Sequence, residues 1–482
     1  MTYPLHRFRF ACAVLLAGFT FAASSTRAAD IKMPAELPPY GPMQLPQAPK
    51  VQSEKLANGL TVWLVQQNNL PKAAVTLTLR GGYCADPADA RGISDLLANA
   101  VKLGTSTLNA RQIAERSQAA GGDLTAEAST ENLTVSIEPL SEHLSDSIAL
   151  LSDLATHASF PEDEVVLAKK NLLSNIQQQE TQPRFLAQRA FGRIHYGDHP
   201  YGVVSPTSAV VEQATAESLR KLYAQTFQPD HAVLVVVGAF DPAAVLAAVH
   251  SAFDGWTAAP AGAGSASLAA PEPASTPDKK IFFVPRPDSV QTALLLGASA
   301  PIRSDADYSA FEVANAIYGG MFGSRLTNNI REDKGYTYTP YSRLTVYRNA
   351  GVVLTGADVR NAVTGPAYKE TVFELNRMAT TPVSDQELTS AKRYLLGTLG
   401  FRLQSRDSVA LRLSTLWVDG LDAQFIRKDA DGIMSSTIAQ VQQASSHYLA
   451  PEKMTVIAVG EDKVVHDQFA PFDIPVVAAP KP

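Results

Sequence analysis

The chain has 482 residues, 45% of them hydrophobic and 18% charged, which is ample for packed cores and excludes wholesale disorder. Its length exceeds what one core serves, and a formal charge of −6 at pH 7 disfavours nucleic acid as a partner.

The N-terminus reads as an export signal: Arg7 and Arg9 precede an apolar run over residues 10–23, followed by small residues. Residues 1–28 are therefore expected to be a signal peptide cleaved near Ala28 or Ala29, which makes the mature chain periplasmic. Their removal takes three arginines and no acid, so the formal charge falls to −9. No later stretch approaches the ~18 unbroken apolar residues of a membrane span, so none is expected. Cys12 leaves with the signal, and Cys84 is then alone, so no intrachain disulfide is expected and Cys84 reads as a small buried apolar residue.

Residues 29–50 are too rich in proline for helix or sheet interior and read as an extended arm. Asn58-Gly59 is a hairpin turn signal. Val62 and Leu64, then Val75, Leu77 and Leu79, then Leu133, Val135 and Ile137 alternate as half-buried strands do. Leu144, Ile148, Leu151 and Leu154 recur at helical spacing, as do Leu172, Leu173 and Ile176. His195 and His199 lie four apart in "HYGDHP", but Gly197 and Pro200 argue against a helix there, so both read as loop packing. Residues 256–277 have the composition of a linker.

The segments on either side of that linker resemble each other. "QPDHAVLVVVG" is echoed by "APEKMTVIAVG", with Pro229 and Pro451, and Gly238 and Gly460, at one offset. "EVVLAKKNLL" from Glu164 is echoed by "ELTSAKRYLL" from Glu387. This predicts a duplicated unit of domain size: an N-terminal domain over residues 51–255, a C-terminal domain over 278–474 and a tail over 475–482. Strands interrupted by helical segments, in two copies, give the α+β class, each copy a mainly antiparallel sheet with helices packed on it.

In "GISDLLANAVKLGT", residues 92–105, Ile93, Leu96, Leu97, Ala100 and Val101 share one helical face and Asp95, Ala98 and Asn99 the other. That second face has the spacing of an inverted zinc motif, in which H-x-x-E-H sets two zinc-binding histidines one turn apart with a glutamate to activate water. The stretch resembles the "G-L-x-H-F-L-E-H-x-x-x-x-G-T" segment of the pitrilysin/insulinase-type metallopeptidases. Gly92, Gly104 and Thr105 match it, while Asp95, Ala98 and Asn99 stand at the family's His, Glu and His. The family's third ligand is a glutamate downstream, and Asn175 in "NLLSNIQQQ" stands there. The resemblance extends through "NGLTVWLV", "FPEDEV", "HPYGVVSPTS" and "YAQTFQPDHAVLVVVGAFDP". It implies a degenerate zinc site. One carboxylate and two amides are a poor zinc donor set, so no cofactor is expected in this chain.

The second half holds "GGMFGSRLTNNIREDKGYTYTPYS", residues 319–342, similar to the family's "G-x-x-S-R-L-x-x-x-I-R-E-x-x-G-L-A-Y-S-x-Y-S". The resemblance assigns Arg331 and Tyr338 to the pair that holds a substrate carbonyl in that family. Their chemistry suits an oxyanion, since a guanidinium and a phenol both donate to developing negative charge. Locally, Ser324 to Lys334 reads as a helix closed by Gly335 and Tyr336 to Tyr341 as a strand, while Gly319, Gly320 and Gly323 read as close-packing or turn glycines. A chain without zinc ligands that keeps this pair resembles the zinc-free subunit of a two-chain peptidase. That implies half of a clamshell, a homologous H-x-x-E-H partner carrying the zinc, and a peptide substrate. The alternative is a non-catalytic peptide-binding or scaffolding pseudopeptidase.

Overall fold

Among the described residues twelve strands divide into two six-stranded sheets. In the computed structural model, which describes residues 40–257 and 280–480, the first sheet is built from β1 (Gln52–Lys55), β2 (Thr61–Gln66), β3 (Ala73–Arg80), β4 (Thr125–Ala128), β5 (Asn132–Ile137) and β6 (Ala232–Gly238). The second contains β7 (Ile281–Pro285), β8 (Gln291–Ala300), β9 (Tyr341–Val346), β10 (Gly351–Arg360), β11 (Thr455–Gly460) and β12 (Val476–Ala478). The expected signal peptide, the first part of the proline-rich arm and nearly all of the linker lie outside the described residues. Both sheets are mixed and mainly antiparallel, with helices packed on them, as the α+β expectation requires.

The strand orders are β1-β2-β6-β3-β5-β4 and β12-β7-β11-β8-β10-β9. Five strands of each sheet correspond one to one, down to the single parallel pair at the same place, β2 with β6 and β7 with β11. The repeated sequence anchors fall on equivalent structure. Pro229 and Pro451 each open a 3₁₀ turn that feeds a fully buried strand ending at Gly238 or Gly460, and Glu164 and Glu387 each sit in the first turn of a long helix, Glu162–Glu180 and Asp385–Arg402. The sixth strand differs: β1 forms a hairpin with β2 through the turn at Asn58-Gly59, whereas β12 runs parallel to β7. Val476–Ala478, within the stretch 475–482 read from sequence as a tail, thus form a strand, because the open edge of β7 leaves backbone groups to pair.

Each sheet buries one face under helices of its own half. Leu77, Leu133, Leu234, Leu96 and Leu151 are among the residues of the first such core, and Leu294, Val353, Phe311 and Ile330 of the second. The opposite faces are covered by exchange. The helix Pro183–Tyr196 lays Ala187, Ala190 and Phe191 on Ala293, Leu295 and Val459 of the second sheet, and the helix Arg406–Val418 lays Val409, Leu413 and Leu416 on Trp63, Val233 and Val235 of the first. Each of these helices follows the long helix of its own half. Burying a large apolar side chain contributes about 1.5–3 kcal/mol, so the exchange binds the halves strongly, and Met43–Pro482 form one compact unit.

The exchange corrects the expectation of half-buried strands. β3 is buried on both faces, Val75, Leu77 and Leu79 toward its own helices and Ala74 toward the crossing helix. It also corrects the reading of His195 as a loop residue. His195 occupies the last turn of the helix Pro183–Tyr196, buried and stacked on Phe191 with ring centroids 4.8 Å apart, and that helix stops at Gly197, whose φ is +59°. Burial pushes its imidazole down to about 4. His199 lies beyond the stop and accepts a hydrogen bond from the Tyr201 amide at 3.2 Å.

Candidate functional site

The degenerate zinc positions lie on the helix Ser94–Val101, which packs against the helix Glu162–Glu180 that carries Asn175. The chain enters this helix through Gly92, whose φ of +88° suits glycine and where a Cβ would sit 2.5 Å from the Pro206 nitrogen. Asp86 fixes the entry, accepting from the Gly92 amide at 2.8 Å and the Ser94 hydroxyl at 2.5 Å. Asp95 accepts a hydrogen bond from the Tyr83 hydroxyl at 2.8 Å, and Asn99 donates its side-chain amide to the Asp95 carbonyl at 2.7 Å. Burial pushes the carboxyl groups of both Asp86 and Asp95 up to about 6, against their hydrogen-bond donors.

The four positions offer little to zinc. Ala98 is buried at 2% exposure and has no donor atom, the side-chain amide of Asn99 already serves the helix backbone, and Asn175 is exposed. Only Asp95 brings a charged oxygen, and a zinc site wants three or four nitrogen, sulfur or carboxylate ligands. Among the described residues no three His, Cys, Asp or Glu side chains stand close enough to hold a metal ion. The residues therefore do not fit the family's metal.

Arg331 and Tyr338 are brought together. The Arg331 guanidinium carbon lies 4.9 Å from the Tyr338 ring centroid and 4.6 Å from that of Phe322, so the cation is held between two aromatic faces. Its Nε is 3.3 Å from Glu332. Arg331 sits on a π-helical turn, Thr327–Asp333, a local geometry frequent at functional sites. That turn is fixed from beneath by fully buried Leu326 and Ile330, by a bidentate Arg325–Glu387 pair at 2.6 and 3.0 Å, and by the Asn329 amide donating to Glu374 at 2.8 Å. Arg325 holds the Glu387 carboxyl down to about 2.

Gly335, at φ +62°, closes the turn by donating to the Arg331 carbonyl at 3.0 Å. The following segment is not the strand read from sequence, for β9 begins only at Tyr341. Instead Tyr336 packs against the second core and Thr337 is pinned to β10 by a bridge to Val359 and a hydroxyl bond to the Asp358 carbonyl at 2.8 Å. Tyr338 is thereby turned outward, 79% exposed beside Phe322 at 70%. Among the described residues no hydrogen bond, ion pair or ring contact joins this cluster to Asp95, Asn99 or Asn175. Sequence reasoning missed Tyr83 and Phe322. Tyr83 gave no periodic signal twelve residues from its partner, whereas a phenylalanine between two turn glycines in "GGMFGS" was a visible oddity.

The zinc-motif helix in one half and the Arg331 cluster in the other lie within ranges that match models of known families. A family model described as insulinase, peptidase family M16, matches residues 61–203, and one described as the peptidase M16 inactive domain matches residues 213–395. The chain belongs to peptidase family M16. A Bacillus subtilis protein named as an uncharacterized zinc protease, YmxG, is 26% identical over 357 residues, covering 73% of this chain and 84% of its own length. A Helicobacter pylori protein named as a non-peptidase homolog, also YmxG, is 25% identical over 362 residues, covering 73% and 80%. A solved M16 inactive domain from Pseudomonas fluorescens has a TM-score of 0.78 at 24% identity, covering 86% of this chain and 98% of its own, and a protease from Helicobacter pylori scores 0.78 at 19%, covering 86% and 100%. Relatives of equal similarity thus carry both peptidase and non-peptidase names, so overall likeness does not decide activity here and the site residues must.

Proposed function

We propose that this M16 chain is the zinc-free subunit of a two-chain periplasmic metallopeptidase, and that its C-terminal half supplies Arg331 and Tyr338 to a partner bearing H-x-x-E-H. The observation that carries this reading is the cluster itself. A guanidinium held between two rings, beside a phenol hydroxyl left in solvent, is a preformed donor pair with nothing of its own to act on. Two large aromatic side chains exposed side by side also suit a face covered by another molecule.

In the reconstituted pair, a zinc held by the partner's H-x-x-E-H motif would supply an activated water for attack on an extended peptide. Arg331 and Tyr338 donate to the carbonyl oxygen as it gains charge, and the two flanking rings limit the movement of the guanidinium. The N-terminal peptidase-like domain at 51–255 has lost the metal, the C-terminal one at 278–474 has kept the donors, and residues 1–28 direct export. No described helix is long and apolar enough to cross a membrane.

The test begins with the tagged chain expressed in its own host and recovered from the periplasmic fraction, with mass spectrometry and zinc analysis of the eluate. A stoichiometric, zinc-bearing H-x-x-E-H homologue is expected. In that pair Tyr338→Phe should lower peptide turnover by a factor on the order of 10²–10³, as loss of one oxyanion donor does. Unchanged turnover would remove the catalytic part of the reading and leave a scaffolding subunit, and a zinc-free homodimer would remove the reading altogether.

A further inference from the structure

A second set of acidic groups, remote from the zinc positions in sequence, lies against a cavity of about 680 Å³ in the second half. Glu312, on the helix Tyr308–Asn315, accepts from the Tyr308 hydroxyl at 3.0 Å and lines the cavity together with Asp429 of the helix Gln424–Ser435, the two carboxyls acting on each other directly. Asp429 is 5% exposed, the Ser309 hydroxyl serves its carboxyl, and among the described residues neither Glu312 Oε2 nor Asp429 Oδ1 has a hydrogen-bond donor. Two ionised carboxylates offer only acceptors, so a hydrogen bond between them requires a proton on one.

Among the described residues no guanidinium lies within ion-pair distance of Glu312. Arg412, on the crossing helix Arg406–Val418, stands 3.8 Å from Asp429, and Arg303 stands 2.8 Å from Asp419 at the end of that helix. Of these groups Asp429 is the buried one, and its nearest guanidinium stands beyond hydrogen-bonding distance, so a proton is what can join the two carboxyls directly. Tyr341 and Arg343 of β9 and Tyr394 and Arg402 of the helix Asp385–Arg402 face the same cavity, and Tyr448, from the helix packed alongside, is bonded to Asp307 instead. We propose that Glu312 and Asp429 hold a single proton between them, and that this proton is the latch seating the helix Arg406–Val418 in its own half while its apolar face grips the first sheet. Burial and mutual repulsion act in the same direction, raising the Glu312 carboxyl well above its ordinary range. A group raised in the folded state stabilises below its unfolded pKa and loses that contribution as pH rises through the folded value. The latch therefore opens on the alkaline side and holds on the acid side.

The test uses the full chain. Isotope-edited infrared spectra of protein labelled at glutamate and aspartate carboxyls should show a protonated-acid band at pH 7 that Glu312→Gln abolishes. Hydrogen exchange read by mass spectrometry, corrected for intrinsic rates, should rise over residues 406–418 by up to roughly tenfold per pH unit above the pair's pKa, the limit for one linked proton. In Glu312→Gln, which keeps a donor toward Asp429 without charge, that rise should be absent. A wild-type spectrum lacking the band overturns the proposal. So does an unaltered pH dependence in Glu312→Gln, or loss of the band on adding stoichiometric Ca²⁺, which would make the pair a cation site. Should Glu312→Gln fail to fold, Asp429→Asn replaces it, and the wild-type spectrum decides in either case.

Discussion

In both halves the strand that pairs antiparallel with the buried parallel pair, β3 or β8, leads into a helix carrying a half-buried acid that accepts a tyrosine hydroxyl. In the first half Tyr83 donates to Asp95 at 2.8 Å, and in the second Tyr308 donates to Glu312 at 3.0 Å. The surroundings then diverge. Asp95 has a neutral amide one turn on and no metal-binding set around it, whereas Glu312 lines a cavity with a second carboxyl beside the crossing helix. The second half also holds an exposed Arg-Tyr cluster, and among the described residues no hydrogen bond, ion pair or ring contact joins it to the first half. One architecture thus carries a zinc-motif helix without zinc ligands in one copy, and in the other a carboxyl pair beside the crossing helix and an exposed Arg331–Tyr338 cluster.

The comparison breaks most visibly at the exchanged helices. Phe191 lies at the second sheet's β8, where a Cβ on Gly297 would meet its ring at 2.4 Å, so Phe191→Ala should cost about 3–5 kcal/mol in denaturant unfolding, as emptying a packed aromatic site does. If the exchange binds both halves into one cooperative unit, both sheets should melt together in this variant. A transition confined to the second half would show that they are separable. The Tyr338→Phe loss of 10²–10³ in turnover comes next, and it should leave unfolding unchanged because that ring is exposed.

Smaller effects sharpen the electrostatic contrast. Glu387, held at about 2, contributes stability that is present above its unfolded pKa and lost as pH falls through about 4 toward 2. Glu387→Gln should accordingly cost on the order of 1–2 kcal/mol at pH 7 and nothing near pH 2, read from unfolding midpoints across pH. Asp95, raised to about 6, has the opposite sign: its contribution is full below about pH 4 and disappears as pH climbs through 6. Asp95→Asn should remove roughly 1 kcal/mol of the wild type's gain on acidification over that window. If Asp95→Asn keeps the wild-type slope, Asp86 rather than Asp95 is the titrating group.

Much of the architecture was legible in the chain. Alternation at Val75, Leu77 and Leu79, the glycine at the β1–β2 turn, and the repeated Pro229/Pro451 and Gly238/Gly460 anchors fix strands, a hairpin and a duplication through local sterics and period alone. The absence of zinc ligands at Asp95, Ala98, Asn99 and Asn175 and the presence of Arg331 and Tyr338 were equally readable, since identity at a motif position is a property of sequence. Only the tertiary structure decided that each sheet's second face is covered by the other half's helix, because an amphipathic helix records that it has a partner but not which one. It alone set Tyr338 outward from a pinned loop beside Phe322, and it alone brought Glu312 against Asp429, more than a hundred positions apart, where burial and not sequence determines how many protons the pair holds.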